Sequence, residues 1–368
     1  MSDSPAPAAM AATTPPPLAA EDIALLGVPL WAWQIAVAAA GVLALVLLAR
    51  TIWNPTPTSL RLWTLGNIVV NAGIAVTGAT VRVTSSGLGC SEWPRCTPDS
   101  FVPIDTGHAA LNAAIEFGNR TLTFVVLAVA VITFVAFLRA EPRRRDLVRL
   151  AAIIPFGVLG QGVVGGITVW SDLHPASVGA HFLLSMVMVF LTVALYVRAR
   201  EPEGTPRVVV NPMLHTLSIA LVVTGFLLLI AGTVVTGSGP HGGDAAAPRW
   251  GFPLETVTKV HSALAWLTLA CAVLAAVLAF RTGAGRPART SAVLLVAVVV
   301  GQGAVGYVQY ALELPEGLVV LHVLGSALTW IAIARLYFAT TRLFPGDGDP
   351  ALTGRAAEST PAAPAPGR

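Results

Sequence analysis

Charge is what this chain of 368 residues has least of. Asp, Glu, Lys and Arg make up 11% of it, against 55% hydrophobic residues, and the mean hydropathy is +0.74. A soluble domain carries roughly a quarter charged residues, so a water-facing surface for a chain of this size cannot be built from this composition. Lipid is therefore the solvent for most of it. Lysine is nearly missing, with Lys259 the only one, and the net charge of +3 rests on arginine. That bias fits a GC-rich bacterial genome and carries no signal for nucleic acid. Residues 1–28 hold no Lys or Arg, so the basic n-region of a secretory signal is lacking and the first apolar run is expected to be retained. Their Ala, Pro and Thr read as a disordered tail, as do residues 343–368.

What is present is a series of long apolar runs. A span needs about 20 mostly apolar residues, and runs of that kind lie near 29–49, 62–83, 111–138, 148–170, 176–198, 212–236, 254–280, 290–310 and 317–340. Arginines fill alternate loops: Arg50 and Arg61, then Arg139, Arg143, Arg144, Arg145 and Arg149, then Arg198, Arg200 and Arg207, then Arg281, Arg286 and Arg289, with Arg342 after the last run. The other loops are poorer in arginine and richer in acid, with Glu92, Asp99, Asp105, Asp172, Asp244, Glu313 and Glu316. The positive-inside rule then predicts an outer N-terminus, an inner C-terminus, and outward-facing 84–110 and 237–253 loops.

Shifting the chain against itself exposes a repeat. GQGVVGG at 160–166 recurs as GQGAVGY at 301–307, an offset of 141, and the same shift carries His181 onto His322. AGIAVTG at 72–78 recurs as AGTVVTG ending at Gly237. Spans two to five are echoed by spans six to nine. The expected fold is an all-α integral membrane protein with two pseudo-symmetric four-helix transmembrane bundles, at 60–200 and 208–342, and one extra N-terminal helix at 29–49. A shift of 142 moves Asn119 onto His261 and Glu116 onto Thr258. The second bundle thus has two histidines where the first has His181, Asn119 and a carboxylate. Unequal boxes point to unequal jobs.

His181, His261 and His322 each lie about six residues inside the outer ends of their helices, or roughly 9 Å deep at the helical rise. For His261 and His322 the plain alternative is a pair of interhelical hydrogen bonds. Equal depth and matched repeat positions favour one iron held between two imidazoles. Zinc or copper would want further Cys, His or carboxylate donors, and none clusters at that depth. Glu116 and Arg120, four apart with the acid first, suit an intrahelical ion pair. The carboxylate equally suits proton transfer beside an oxidation, and both readings stand.

Cys90 and Cys96 lie in an outer, oxidising loop and are expected to form a disulfide, as a loop staple ahead of a redox relay. Cys271 reads as a small packing residue. His108, His174 and His241 read as interface residues, though a heme propionate would suit such donors together with Arg82. His215, at an inner helix end, is given no chemical role. Gly162 and Gly166 form a small-xxx-small face expected to bring helices together, and Gln161 and Gln302 are expected to be structural interhelical hydrogen bonders.

Four separated motifs carry a family resemblance: VRVTSSGLGCSEWPRC at 81–96, IEFGNR at 115–120, GQGVVGG with GAHFLLS, and KVHSALA with LHVLGSA. In this order, over about residues 60–342, the chain resembles the heme A synthase family. The resemblance implies an oxidoreductase that converts the C8 methyl of heme O to a formyl group, giving heme A for terminal oxidases. It implies heme b as cofactor between His261 and His322, and a substrate-heme site in the first bundle with His181, Asn119 and Arg120. Glu116 would be the catalytic acid, and Cys90 with Cys96 the family's disulfide. Many members have histidine where this chain has Asn119, which implies an iron held through His181 alone, or a heme held by shape and propionates.

Implied partners are heme O, membrane lipid, an electron acceptor outside the chain and a candidate heme O synthase, with no nucleic acid. The implied setting is the bacterial cell membrane with the heme sites toward the outer face. The competing reading is a b-type electron-transfer cytochrome or a heme-binding assembly protein without catalytic activity; a heme transporter is a third. A two-heme cytochrome would more naturally keep two histidines in each box.

Overall fold

A computed structural model describes residues 24–25, 28–104 and 108–345, with side chains from Gln34 onward except at positions 44, 108 and 109. Most of the expected 1–28 tail, the 343–368 tail beyond Pro345, Asp105 and the His108 side chain lie outside the described residues. The chain divides into two units, Met1–Trp53 and Asn54–Arg368. In the first, two-residue strands β1 (Ala24–Leu25) and β2 (Val28–Pro29) pair antiparallel and precede helix α1 (Leu30–Trp53).

The second unit runs α2 (Pro57–Val83), α3 (His108–Arg139), α4 (Arg145–Trp170), α5 (Pro175–Arg198), strand β3 (Thr205–Val208), α6 (Pro212–Ser238), α7 (Leu254–Arg281), α8 (Arg286–Ala311), α9 (Glu316–Ala339) and β4 (Thr341–Phe344). Among the described residues, nine helices are long and apolar enough to cross a membrane. The protein is an all-α, multi-pass membrane protein. Phe124 and Phe156, each 72% exposed, are typical of side chains that only lipid could cover.

Capping chemistry sets several helix starts. Thr56, His174 and Asn211 each accept a backbone N–H of the first turn from the residue directly before a proline. That is why α2 begins at Pro57, ahead of the apolar run that starts near residue 62. At the far end of the chain, β4 pairs antiparallel with β3, Thr205 opposite Phe344 and Val208 opposite Thr341. The tail expected from residue 343 therefore starts inside an ordered strand. Backbone pairing to the α5–α6 loop holds Leu343 and Phe344, a long-range contact that composition cannot show.

Packing follows the repeat. Helices α2, α3, α4 and α5 close one ring, each touching its neighbours and α2 touching α5; α6, α7, α8 and α9 close another in the same manner. Across the seam, α5 packs on α9, α2 on α9, and α5 on α6. Since α2 corresponds to α6 and α5 to α9, these contacts are the reciprocal set that a twofold axis through the α5–α9 contact produces.

The first bundle is cored by Val126, Ala130, Ile154, Val158 and Met188, among others. The second is cored largely by alanines, including Ala272, Ala275, Ala279, Ala288 and Ala292, small enough to let helices approach closely in lipid. At the seam, buried Trp330 donates its indole N–H to the Met186 carbonyl (2.8 Å). The turns before α5 and α9 repeat as well. Asp172 and Leu173 (φ 50° and 58°) match Glu313 and Leu314 (φ 61° and 65°) in the left-handed region, which side-chain-bearing residues seldom adopt.

Candidate functional site

In the second ring His261 projects from α7 and His322 from α9, and their imidazole centroids lie 6.3 Å apart with planes at 62°. Two helices that are not sequence neighbours thus bring their histidines together. Each ring is backed by a glycine of an adjacent helix. A Cβ at Gly232 of α6 would stand 3.2 Å from His261 Cε1, and one at Gly306 of α8 would stand 3.1 Å from His322 Cε1. Glycine here is a matter of space: any side chain would push the imidazole off its position. The Nδ1 atoms of both histidines are buried without a hydrogen bond of normal geometry, although His261 is set against the Leu228 carbonyl. Among the described residues, no group of three or more His, Cys, Asp and Glu gathers that could hold a metal ion.

A further contact fixes the backbone beneath His322. Gln302 of α8 donates from Nε2 to the His322 carbonyl (2.7 Å) and to Ser326 Oγ (3.1 Å), while Ser326 Oγ donates to the same carbonyl (2.8 Å). The first ring repeats this motif atom for atom. Gln161 Nε2 reaches the His181 carbonyl (3.4 Å) and Ser185 Oγ (3.0 Å), and Ser185 Oγ donates to His181 (3.0 Å). The glutamines are interhelical hydrogen bonders, as expected, but their contact is with the histidine turn itself. Ser185, Ser326, Gly165 and Gly306 escape a reading of residue types alone, yet the shift of 141 that pairs the histidines also pairs these residues.

The first ring differs on the side opposite His181. His181 keeps a glycine beside it, with a Cβ at Gly165 falling 3.5 Å from Cε1. Across the ring, Asn119 of α3 accepts a hydrogen bond on Oδ1 from Thr77 Oγ1 of α2 (2.7 Å). No hydrogen bond joins Asn119 to His181. Glu116, 5% exposed, has both oxygens engaged: Oε1 accepts from Arg120 Nε (3.0 Å) and Nη2 (2.5 Å), and Oε2 from the Cys90 N–H (2.5 Å). Arg120 also donates to the carbonyls of Glu92 (2.8 Å), Arg95 (2.9 Å) and Cys90 (3.0 Å). The ion pair read from the spacing is present, and it is also a clamp on the 84–104 loop.

That loop carries the Cys90–Cys96 disulfide, with both cysteines wholly buried. Its Trp93 lies on α4, so close that a Cβ at Gly166 would stand 2.6 Å from the indole, and meets Trp170 edge to face (5.4 Å). This corrects one expectation. Nothing lies within 4 Å of a Cβ at Gly162, and Gly166 makes room for a loop tryptophan, so the pair is no helix–helix face. In the second ring the residue equivalent to Gly166 is Tyr307, whose hydroxyl hydrogen-bonds Ser262 Oγ (3.0 Å) and accepts from Trp266 Nε1 (2.9 Å). A loop side chain packs on α4 at this position in one ring, where the other has a helix side chain.

Of the remaining histidines, His174 caps α5 through Nδ1 (3.2 Å) and packs edge to face on Trp250. His241 Nε2 is 2.8 Å from the Leu314 carbonyl. His215 Nδ1 is 2.9 Å from Thr340 Oγ1, and Cys271 packs against the second core.

Residues 61–334 match the family COX15-CtaA, described as cytochrome oxidase assembly protein, so the match covers both rings and every residue of the two boxes. The chain belongs to that family. Among COX15-CtaA relatives, the Heme A synthase of Symbiobacterium thermophilum is 32% identical over 187 residues, covering 48% of this chain and 59% of that protein. The Heme A synthase of Bradyrhizobium sp. (strain ORS 278) is 27% identical, covering 76% of this chain and 90% of the relative. That of Methylorubrum extorquens is 26% identical, covering 82% and 90%. The latter two matches are long enough to extend across both bundles.

Proposed function

We propose that this protein is a heme A synthase, a membrane oxidoreductase that converts the C8 methyl of heme O to a formyl group. The observation that carries the reading is the unequal pair of boxes on one repeated scaffold. The same Gln–Ser–His motif supports a facing histidine pair in one ring, and a single histidine with an asparagine and a carboxylate in the other.

The residues fit a b-type heme in the second ring. Two imidazole–metal bonds of about 2 Å, with about 1.2 Å from each ring centre to its nitrogen, place the ring centres roughly 6.4 Å apart across one metal ion. The observed separation is 6.3 Å. Two imidazoles alone are too few donors for zinc or copper, and no further His, Cys, Asp or Glu gathers with them among the described residues, which would suit a metal that arrives within a heme. Such a heme supplies one-electron transfer when bound. His261 and His322 would hold it, and Gly232, Gly306, Gln302 and Ser326 would set the direction of the two imidazoles.

The first ring would take the substrate, with His181 toward its iron. Asn119, held by Thr77, would offer that iron no strong ligand. Glu116 would be the acid of this site, and Arg120 ties it to the disulfide loop through the carbonyls of Cys90, Glu92 and Arg95. A proton could pass through Glu116 only as one of its two contacts opens. The arginine distribution supports a long-loop end that faces outward, and an outer, oxidising face suits the Cys90–Cys96 bond. The electron acceptor would be a partner outside the chain, and a heme O synthase is a fitting neighbour as the source of substrate.

Extracting and identifying the hemes of the purified protein, expressed with and without a supply of heme O, tests the proposal. Heme B in both preparations, with heme A or its hydroxylated precursor only where heme O is supplied, is the expected result. Heme B alone in both would make this an electron-transfer cytochrome instead.

A further inference from the structure

Arg82 stands in the last turn of α2, where the two long loops meet. The Gly87 N–H donates to the Gly243 carbonyl there (2.8 Å), joining the loop after α2 to the loop after α6. A Cβ at Gly243 would lie 3.5 Å from Arg82 Cγ and 3.0 Å from Leu173 Cδ1, so the arginine stem is packed between the second long loop and the turn that starts α5. Its Nε is buried and has no hydrogen-bond partner. No side-chain hydrogen bond or ion pair engages Arg82 among the described residues. Its electrostatic neighbour is another cation, Arg249.

That arrangement is costly as it stands. Arg82 as a whole is half-buried, but a charged group whose Nε is shut away from water without a partner is costly, and a second positive charge beside it adds repulsion. Arg249 accounts for itself, since it donates to the carbonyls of Gly239 (2.9 Å), Pro240 (2.9 Å) and Ala247 (2.5 Å) and so braces the second loop. Asp244, the acid of that loop, is turned to the Ala246 N–H (2.8 Å). Two histidines of this face are also spent, His174 on a helix cap and His241 on the Leu314 carbonyl. What is left is one half-buried arginine, its Nε buried and unpaired, with a cation beside it and its stem against the turn that starts the helix carrying His181. Such a group is complete only with an anion.

We propose that Arg82, with Arg249 beside it, is a carboxylate site that takes a propionate of the porphyrin in the first ring. This rests on the heme reading above and extends it. The planar guanidinium matches a carboxylate in bidentate geometry. The site also lies where the rings meet: Arg82 comes from the first and would hold the carboxylate, while Arg249, from the loop after α6, adds positive charge beside it.

The test uses the purified protein in detergent micelles, titrated with heme O and with heme O dimethyl ester, whose propionates are uncharged. The wild type is expected to bind the free acid about 10- to 100-fold more tightly than the ester, the range for a charge-assisted hydrogen bond. Arg82→Gln should bind both forms equally at the ester's affinity, and Arg82→Lys should restore part of the preference. The low-spin spectrum assigned to His261 and His322 serves as the check that each variant is folded. A full acid preference surviving in Arg82→Gln would overturn the proposal, as would a wild type with no preference. Native mass spectrometry covers the other source of an anion: an anionic lipid bound one-to-one in the wild type and lost in Arg82→Gln, with the ester preference unchanged, would assign the site to a lipid phosphate. A wild type that takes up neither porphyrin would overturn the heme reading together with this one, whereas equal uptake of both forms would overturn only the propionate site.

Discussion

Removing one imidazole of the His261–His322 pair leaves the other buried with nothing across from it. His261→Ala and His322→Ala are each expected to abolish the low-spin b-type absorption spectrum while the protein still inserts and purifies; a normal spectrum in both would remove the ligand assignment. Glu116 poses a finer question, because its two oxygens serve both the ion pair and the loop. Glu116→Ala is expected to retain heme and to lower heme A formation at least about a hundredfold, the lower reach of general acid–base effects. Full heme A yield in that variant would leave Glu116 as a structural ion pair. The spacing of Glu116 and Arg120 made the pair legible in sequence. The role of Arg120 as a clamp on three loop carbonyls was not, because those acceptors are backbone atoms some 25 to 30 residues away.

At the level of elements, histidine position depends on the helix next door. Gly306 in α8 and Gly232 in α6 leave room for the rings, and Gln302 holds the His322 turn from α8. Gly306→Val would place branched atoms where Cε1 of His322 now lies 3.1 Å from a Cβ. It should therefore produce a five-coordinate, high-spin spectrum, with the helix content by circular dichroism unchanged. An unaltered low-spin spectrum would show that the ring can move without losing its aim. The mirror motif on His181 explains why the glutamines recur, and the sequence held this in plain view as a fixed offset. The Gly162–Gly166 face shows the opposite case, since the small-residue spacing was real but its occupant was a loop tryptophan. Spacing along a helix says that a neighbour can approach, and it does not say which neighbour comes.

For the molecule as a whole, the α5–α9 seam is where two similar rings become one protein. Trp330, 4% exposed, packs against Phe190 and Phe226 and bonds to Met186 across the seam. Interhelical hydrogen bonds in membranes average about 0.6 kcal/mol, whereas deleting a buried tryptophan ring costs roughly 3–5 kcal/mol. Packing therefore outweighs the hydrogen bond here. Trp330→Phe is expected to lose less than about 2 kcal/mol of unfolding free energy in mixed micelles, and Trp330→Ala clearly more. Equal losses in the two variants would mean that the hydrogen bond dominates the seam.

By itself the sequence determined the features that local composition and its own repetition dictate. Apolar runs of spanning length can only be helices in lipid, because each backbone group must find its partner within its own segment. A duplicated stretch announces its offset wherever it is read. The division into boxes was therefore legible, with His261 at the repeat position of Asn119. Tertiary structure alone decided the features that depend on groups far apart in the chain. It placed Cys90 N–H on Glu116, Trp93 on Gly166, β4 on β3, and an unpaired Arg82 beside Arg249. Each of these joins a loop to an element that sequence order keeps distant, and which loop reaches which helix is settled by packing in three dimensions.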